Sequence, residues 1–283
     1  MTSAGGAVVV PGPNGVPFLK GHGTENDFIL LPDPDSQLDL TPERVRRLCD
    51  RRAGLGADGV IRIVPDADGG AGFFMDYRNA DGSLAEMCGN GARVFARYLV
   101  AAGWVEPGEF DFATRGGLRT ARVAADGDVT IGMGPVRLGV RSSTRVSGLA
   151  MDGVAVDVGN PHLACVTDHD IDGLDLTRAP EYDTTVFPAG VNVEFIEGLD
   201  AGAGRDQIRL RVHERGSGET RSCGTGTVAA AAAYLDLSGR RDGEVTVGVP
   251  GGQVVVRIAD GQATLTGPAI IVASGRLDPA LWG

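Results

Sequence analysis

Two stretches decide the fold: CGNGARVFARYL, beginning at Cys88, and CGTGTVAAAAAYL, beginning at Cys223, 135 residues further on. Nine residues upstream of each cysteine lies a polar side chain, Asn79 and Glu214. Downstream, EFDFATRGG from Glu109 and EVTVGVPGG from Glu244 keep the same offset, down to the pairs Gly116-Gly117 and Gly251-Gly252. Both copies continue as alternating apolar strands broken by an Asp-Gly turn, Asp126-Gly127 and Asp260-Gly261. They close on Gly134-Pro135 and Gly267-Pro268, with two residues fewer in the second copy. Asn26 and Asn160 precede their cysteines by 62 and 63 residues. Single Gly-Gly or Asp-Gly matches are expected by chance in a chain with 44 glycines, but a common register across half the chain predicts a duplication.

Period and punctuation give the coarse form of one unit. Strand-like segments at Phe28 to Leu31, Val60 to Val64 and Phe73 to Tyr77 precede a helix from about Asn90 to Ala102, stopped by Gly103. A β-meander from Phe110 to Met133 follows. The second unit repeats this, its helix running from about Thr225 to Leu237 and ending near Gly239. An earlier helix is expected over Pro42 to Arg52, with Thr41 as N-cap and Pro42 at a position where a missing N–H costs little. The expected organisation is a loose extension over 1–16, a first domain over 17–133 plus 269–283, and a second over 134–268. The last fifteen residues exceed the second unit and are expected to complete the first domain's sheet.

Composition narrows the function. The chain has 283 residues, 42% apolar and 22% charged, enough for a core and too balanced for wholesale disorder. No apolar run reaches 18 residues, and MTSAGGAVVVPGPNG lacks the basic flank of a signal peptide, so a cytoplasmic protein with no membrane partner is expected. A net charge of −11 without a basic block argues against nucleic acid. The four cysteines form no CxxC pair and the histidines show no ligand spacing, so neither a disulfide framework nor a metal site is expected. Of 26 basic residues only Lys20 is lysine, so a Schiff-base mechanism must use Lys20 or be discarded.

Each Cys-Gly-x-Gly sits where strand gives way to helix. A thiol there feels the positive end of the helix dipole, which is expected to lower its pKa. The following glycines let a ligand approach the backbone, whose free N–H groups can hold a carboxylate. Two thiols from twofold-related halves suit an inversion, one taking a proton from a carbon and the other returning one to its opposite face. Cys49 and Cys165, in apolar surroundings, are expected to be core residues.

KGHGTENDF from Lys20, YRNADGSLAEMCGNGARVFARYL from Tyr77, VGNPHLACV from Val158, GVNVEF from Gly190 and HERGSGETRSCGTGTVAAA from His213 resemble signature segments of the diaminopimelate epimerases. The resemblance runs from about Phe18 to the last strand. It implies an α+β fold of two pseudo-symmetric domains, each a β-barrel-like sheet around a central helix, with the active site between them. It further implies a pyridoxal-independent, cofactor-free isomerase acting on the small molecule LL-2,6-diaminopimelate in lysine and peptidoglycan-precursor synthesis, and a homodimer. By resemblance, Cys88 and Cys223 are the acid–base pair, and His162 and Glu214 influence their protonation. Asn26, Asn79, Asn160, Asn192, Glu214 and Arg215 match substrate contacts, with Gly89-Asn90 and Gly224-Thr225 as carboxylate nests. One departure is visible: many members carry glutamine where this chain has Gly59, after Asp58.

Three alternatives follow from the same residues. A proline or hydroxyproline racemase would share the thiol pair, but a proline ring has no distal ammonium and carboxylate for Asn79, Asn192, Glu214 and Arg215. An isomerase of the phenazine-biosynthesis type lacks the thiol pair. A redox-switchable binding protein could join the thiols as a disulfide.

Overall fold

The structure is a computed structural model describing residues 15–67, 69–199 and 206–282. Most of the extension expected over 1–16 therefore falls outside the described residues. Val16, inside them, accepts from Leu277 N at 2.8 Å.

The first half runs β1 (Pro17–Gly23), β2 (Asn26–Pro32), α1 (Pro42–Cys49), β3 (Gly59–Pro65), β4 (Phe73–Asn79), α2 (Gly89–Ala101), β5 (Glu109–Thr114), β6 (Gly117–Val123) and β7 (Val129–Pro135). The second runs β8 (Arg137–Val146), β9 (Leu149–Asp157), β10 (Pro161–Val166), β11 (Glu181–Tyr182), β12 (Asn192–Leu199), β13 (Asp206–Glu214), β14 (Gly218–Thr220) and α3 (Gly224–Leu237). It continues through β15 (Gly243–Val249), β16 (Gly252–Ala259) and β17 (Gln262–Gly267). β18 (Ile270–Arg276) and the short α4 (Pro279–Trp282) end the chain.

Pairing repeats from half to half. β2 and β3 are parallel, as are β10 and β12, and the pair Phe28–Gly59 corresponds to His162–Asn192. β3 and β4 are antiparallel, as are β12 and β13. The meanders β5–β6–β7 and β15–β16–β17 also correspond. The edge strands are exchanged: β8, which follows β7, pairs with β9, and β18, which follows β17, pairs with β1. β7 and β17 are equivalent strands and pair antiparallel through Ile131 and Leu265, so the local twofold passes between them. Thr130 and Thr266 hydroxyls meet there at 2.8 Å.

Each sheet wraps its own helix. α2 lies against β1, β2, β6 and β7, and α3 against β9, β10, β12 and β17. A helix enclosed on all sides needs no polar face. In α3 the run Val228 to Ala233 is buried throughout, and its small side chains let the sheet approach closely. One apolar core passes through both halves. α1 and Leu277 cover a smaller cluster outside the first sheet, and residues 171–187 another outside the second. Cys49 and Cys165 lie in these outer clusters, and burial pushes both thiols up to about 12.

Some elements differ from expectation. α1 stops at Cys49 rather than Arg52, because the Asp50 carboxylate turns back to accept from Arg52 N and Ala53 N, both at 2.7 Å. β1 and the β8–β9 hairpin carried no clear period. Lys20 and glycines interrupt the apolar residues of β1, and β8 is largely exposed.

Candidate active site

Cys88 and Cys223 occupy the N-cap positions of α2 and α3 with nearly the same backbone, φ −134° and ψ 118° against φ −124° and ψ 117°. In each case the sulfur accepts from the N–H three residues on, Gly91 at 3.5 Å and Gly226 at 3.4 Å. The two helix starts abut. A Cβ added to Gly224 would stand 3.1 Å from Gly89 Cα, so the nests touch through backbone alone. Both cysteines line one cleft of about 1310 Å³ between the halves.

On the first side, Asn26 at the start of β2 faces Cys88. The thiol donates toward Asn26 Oδ1 at 3.7 Å, while Asn26 Nδ2 donates to Asp58 Oδ2 at 2.7 Å. Asp58 thus sets which end of the amide meets the sulfur. Its other oxygen pairs with Arg51 at 2.6 Å, Arg51 pairs with Asp27 at 2.7 Å, and Asp27 with Lys20 at 2.5 Å. Burial alone would raise the Asp27 pKa, but hydrogen bonds from Arg51 and Lys20 outweigh it and hold it down at about 2. Lys20, the single lysine, sits at the far end of this chain of charges.

The second side is built differently. Asn160 lies in the bend just before β10, and His162 is the second residue of that strand. His162 Nε2 lies 2.9 Å from Asn160 Oδ1, and Nδ1 lies 2.6 Å from Glu194 Oε1. His162 and Glu194 are fully buried, and Glu194 Oε2 has no hydrogen-bond partner among the described residues. Burial pushes the Glu194 carboxyl up to about 7, against the pull of His162. Its Oε1 would be 2.8 Å from a Cβ on Gly226, which places the carboxyl beside the Cys223 loop.

The remaining candidates come from strand ends and loops. Asn79, Asn192, Glu214 and Arg215 all line the cleft, as do Asn26, Asn160, Gly89, Gly224 and Thr225. Asn192 Oδ1 accepts from Arg215 N at 2.8 Å, while the exposed Arg215 side chain donates to Ala189 O at 2.9 Å. Glu214 accepts from Thr220 at 2.5 Å. His162 and Asn90 lie behind the cleft wall. Asn90 Nδ2 reaches across the seam to Ser222 O and Oγ, both at 3.1 Å, while its buried Oδ1 has no hydrogen-bond partner among the described residues. Thr24 and Ser222 hydroxyls meet at 2.7 Å, and Arg93 donates to Thr24 at 3.1 Å. Glu194, Asp58, Arg93 and Tyr77 were not singled out from sequence. Three of them lie one or two residues from a motif position, Asp58 beside Gly59, Tyr77 before Asn79 and Glu194 after Asn192.

One electrostatic expectation is overturned. Burial pushes Cys88 up to about 11 and Cys223 well above the ordinary thiol value. The N–H of Gly91 and that of Gly226 pull the other way, but withdrawal from water and the negative charge of Glu214 prevail. The same burial makes either thiolate, once formed, a stronger base.

Two thiols in equivalent helix starts, aimed at one cleft lined with amides and charges, are the arrangement of an amino-acid epimerase. The family model described as Diaminopimelate epimerase matches residues 18–139 and 154–272. A diaminopimelate epimerase of Rhodococcus jostii is 52% identical, over 94% of this chain and 98% of its own length. One from Corynebacterium glutamicum is 50% identical, over 93% and 98%. The chain belongs to the diaminopimelate epimerase family. Among solved structures, the fold is shared with a Bacillus anthracis protein of the PhzF family, at TM-score 0.68, 16% identity and coverage of 93% and 98%. It is shared too with a hydroxyproline epimerase from Agrobacterium vitis, at TM-score 0.66, 17% identity and coverage of 97% and 96%.

Proposed function

We propose that the protein interconverts LL- and meso-2,6-diaminopimelate by proton transfer between Cys88, the substrate α-carbon and Cys223. The observation that carries this reading is the pair of N-cap cysteines at twofold-equivalent positions on one cleft. One sulfur, as thiolate, takes the α-proton while the other, as thiol, gives its proton to the opposite face, and the roles reverse in the back reaction. An α-proton beside an ammonium and a carboxylate is weakly acidic, so a desolvated, strongly basic thiolate suits its removal. The free N–H groups at Gly89-Asn90 and Gly224-Thr225, at the positive ends of α2 and α3, hold the α-carboxylate and stabilise charge developing on it. Asn26 and Asn160 flank the reacting centre. Asn79, Asn192, Glu214 and Arg215 hold the distal ammonium and carboxylate, for which amides, a carboxylate and a guanidinium are matching partners. His162, with Glu194, tunes the protonation of Cys223. By family resemblance the reading extends to a cytoplasmic homodimer serving lysine and cell-wall precursor synthesis. Light scattering would then give twice the 29.2 kDa chain mass.

The test is incubation of the reduced protein with LL-diaminopimelate in deuterium oxide. Deuterium should enter the α-carbon as the meso isomer forms. Exchange into proline instead would move the activity to the racemases of that ring. Cys88→Ala and Cys223→Ala should each abolish epimerisation, and full turnover by either variant would refute the two-base mechanism.

A further inference from the structure

Gly59 has an informative counterpart. The pair Phe28–Gly59 across β2 and β3 is equivalent to His162–Asn192 across β10 and β12, so Gly59 stands where the second half has Asn192. On the neighbouring strand, Gly59 pairs with Asn79, and Asn192 and Glu214 lie one step beyond the pair Val193–His213. The second half therefore has two polar side chains side by side on the cleft wall. The first half has Asn79 beside a glycine.

The space is not empty. A Cβ on Gly59 would stand 2.6 Å from Tyr77 Cε2, 3.2 Å from the Tyr77 hydroxyl and 2.6 Å from Arg78 O. No side chain can enter from position 59 unless the neighbouring backbone moves, and the tyrosine occupies the room. Tyr77 comes from β4, two residues before Asn79 and on the same face. Its repeat counterpart is Val212, so the substitution at 59 and that at 77 break the symmetry together. Phe28 supports the ring edge-on at 5.9 Å, and the hydroxyl, on the cleft lining, donates to Asn79 Oδ1 at 3.0 Å. Asn79 Nδ2 is held in turn by Ser83 Oγ at 3.0 Å.

We propose that Tyr77 supplies in the first half the polar contact that Asn192 supplies in the second, its hydroxyl oxygen accepting from the distal ammonium of the substrate while fixing the Asn79 amide. The inference rests on the diaminopimelate reading above. A phenol has one hydrogen, and here Asn79 takes it, so the oxygen has only lone pairs to offer. Its partner must be a donor. Burial, with the negative charges of Glu214 and Asp58 nearby, raises the Tyr77 pKa and keeps the phenol neutral, and those same charges favour a cation at this spot.

Tyr77→Phe keeps the ring and removes the oxygen, so the test compares two ligands on that variant. One is LL-diaminopimelate; the other is L-2-aminopimelate, which keeps both carboxylates and lacks the distal ammonium. The variant should raise KM for diaminopimelate about tenfold or more, the usual effect of losing a hydrogen bond to a charged group, with kcat changed less than about twofold. Inhibition by 2-aminopimelate should be unchanged, and thermal melting should confirm the fold. An unchanged KM, or equal weakening of both ligands, would overturn the contact and leave Tyr77 a packing residue. A wild-type protein that does not epimerise diaminopimelate at all would overturn the underlying reading, and this inference with it.

Discussion

Cys88 and Cys223 share a backbone position but not a neighbourhood. On the Cys88 side α2 carries Arg93, fully buried and without an ion pair among the described residues. Burial lowers its pKa to about 10, so it is still a cation at neutral pH. Near Cys223 the charges are Glu214 and Glu194, both of which disfavour a thiolate. Both thiols are raised, so each ionises only at higher pH than a free thiol (~8.5). Iodoacetamide labelling followed by mass spectrometry should therefore climb with pH above that value, with Cys88 modified first. Labelling of Cys223 first would contradict the asymmetry. Glu194→Gln removes a negative neighbour and so makes the Cys223 thiol easier to ionise. Labelling of Cys223 at pH 9 should then be several-fold faster in the variant, and an unchanged rate would show that Glu194 does not govern this thiol. At this scale the repeat register led from sequence to the cleft-lining pairs, Asn26 with Asn160 and Asn79 with Glu214. Tyr77 escaped it because its counterpart is a valine. Glu194 escaped because nothing in GVNVEF shows that its partner is His162, which comes from another strand.

Helix starts and turns set the geometry at the next scale. The abutting nests leave a methyl group at Gly224 a tight fit, its Cβ 3.1 Å from Gly89 Cα and 3.4 Å from Leu265 Cδ2. Gly224→Ala should separate the cysteines by a few tenths of an ångström and lower kcat/KM by about tenfold or more, since small misplacements weigh heavily on proton transfer. Steady-state kinetics beside a melting curve would separate this from a stability loss. Thr41 caps α1 by accepting from Arg44 N at 3.3 Å, on the outer face away from the cleft. Thr41→Ala should cost about 1 kcal/mol in urea unfolding while leaving KM unchanged. The central helices and the β-meander were legible because their apolar period is complete. β8 was not, because an exposed strand that gains its place by pairing carries little hydrophobic pattern.

The two halves are tied over a broad seam. Thr24, Asn90 and Arg93 of the first meet Ser222 and Pro268 of the second, and Glu25 pairs with Arg221. A Cβ on Gly251 would lie only 1.8 Å from Thr24 O, so Gly251→Ala should loosen the seam and lower the melting temperature. Differential scanning calorimetry would show it, and an unchanged transition would mean the seam shifts freely. The duplication itself was legible because side-chain pattern survives in both copies. The cross-half network was not, since it joins residues far apart in sequence that resemble no motif.

The exchange of β8 and β18 has a consequence for how such a chain could arise. A half-length ancestor with this topology would end in a strand that its own sheet cannot use and a second copy can, which is the connectivity of a strand-swapped dimer. Joining two such units end to end converts a concentration-dependent association into an intramolecular one. Separately expressed fragments 1–147 and 148–283 should accordingly be unstable alone and recover activity when mixed, because the first carries β8, which closes the second, and the second carries β18, which closes the first.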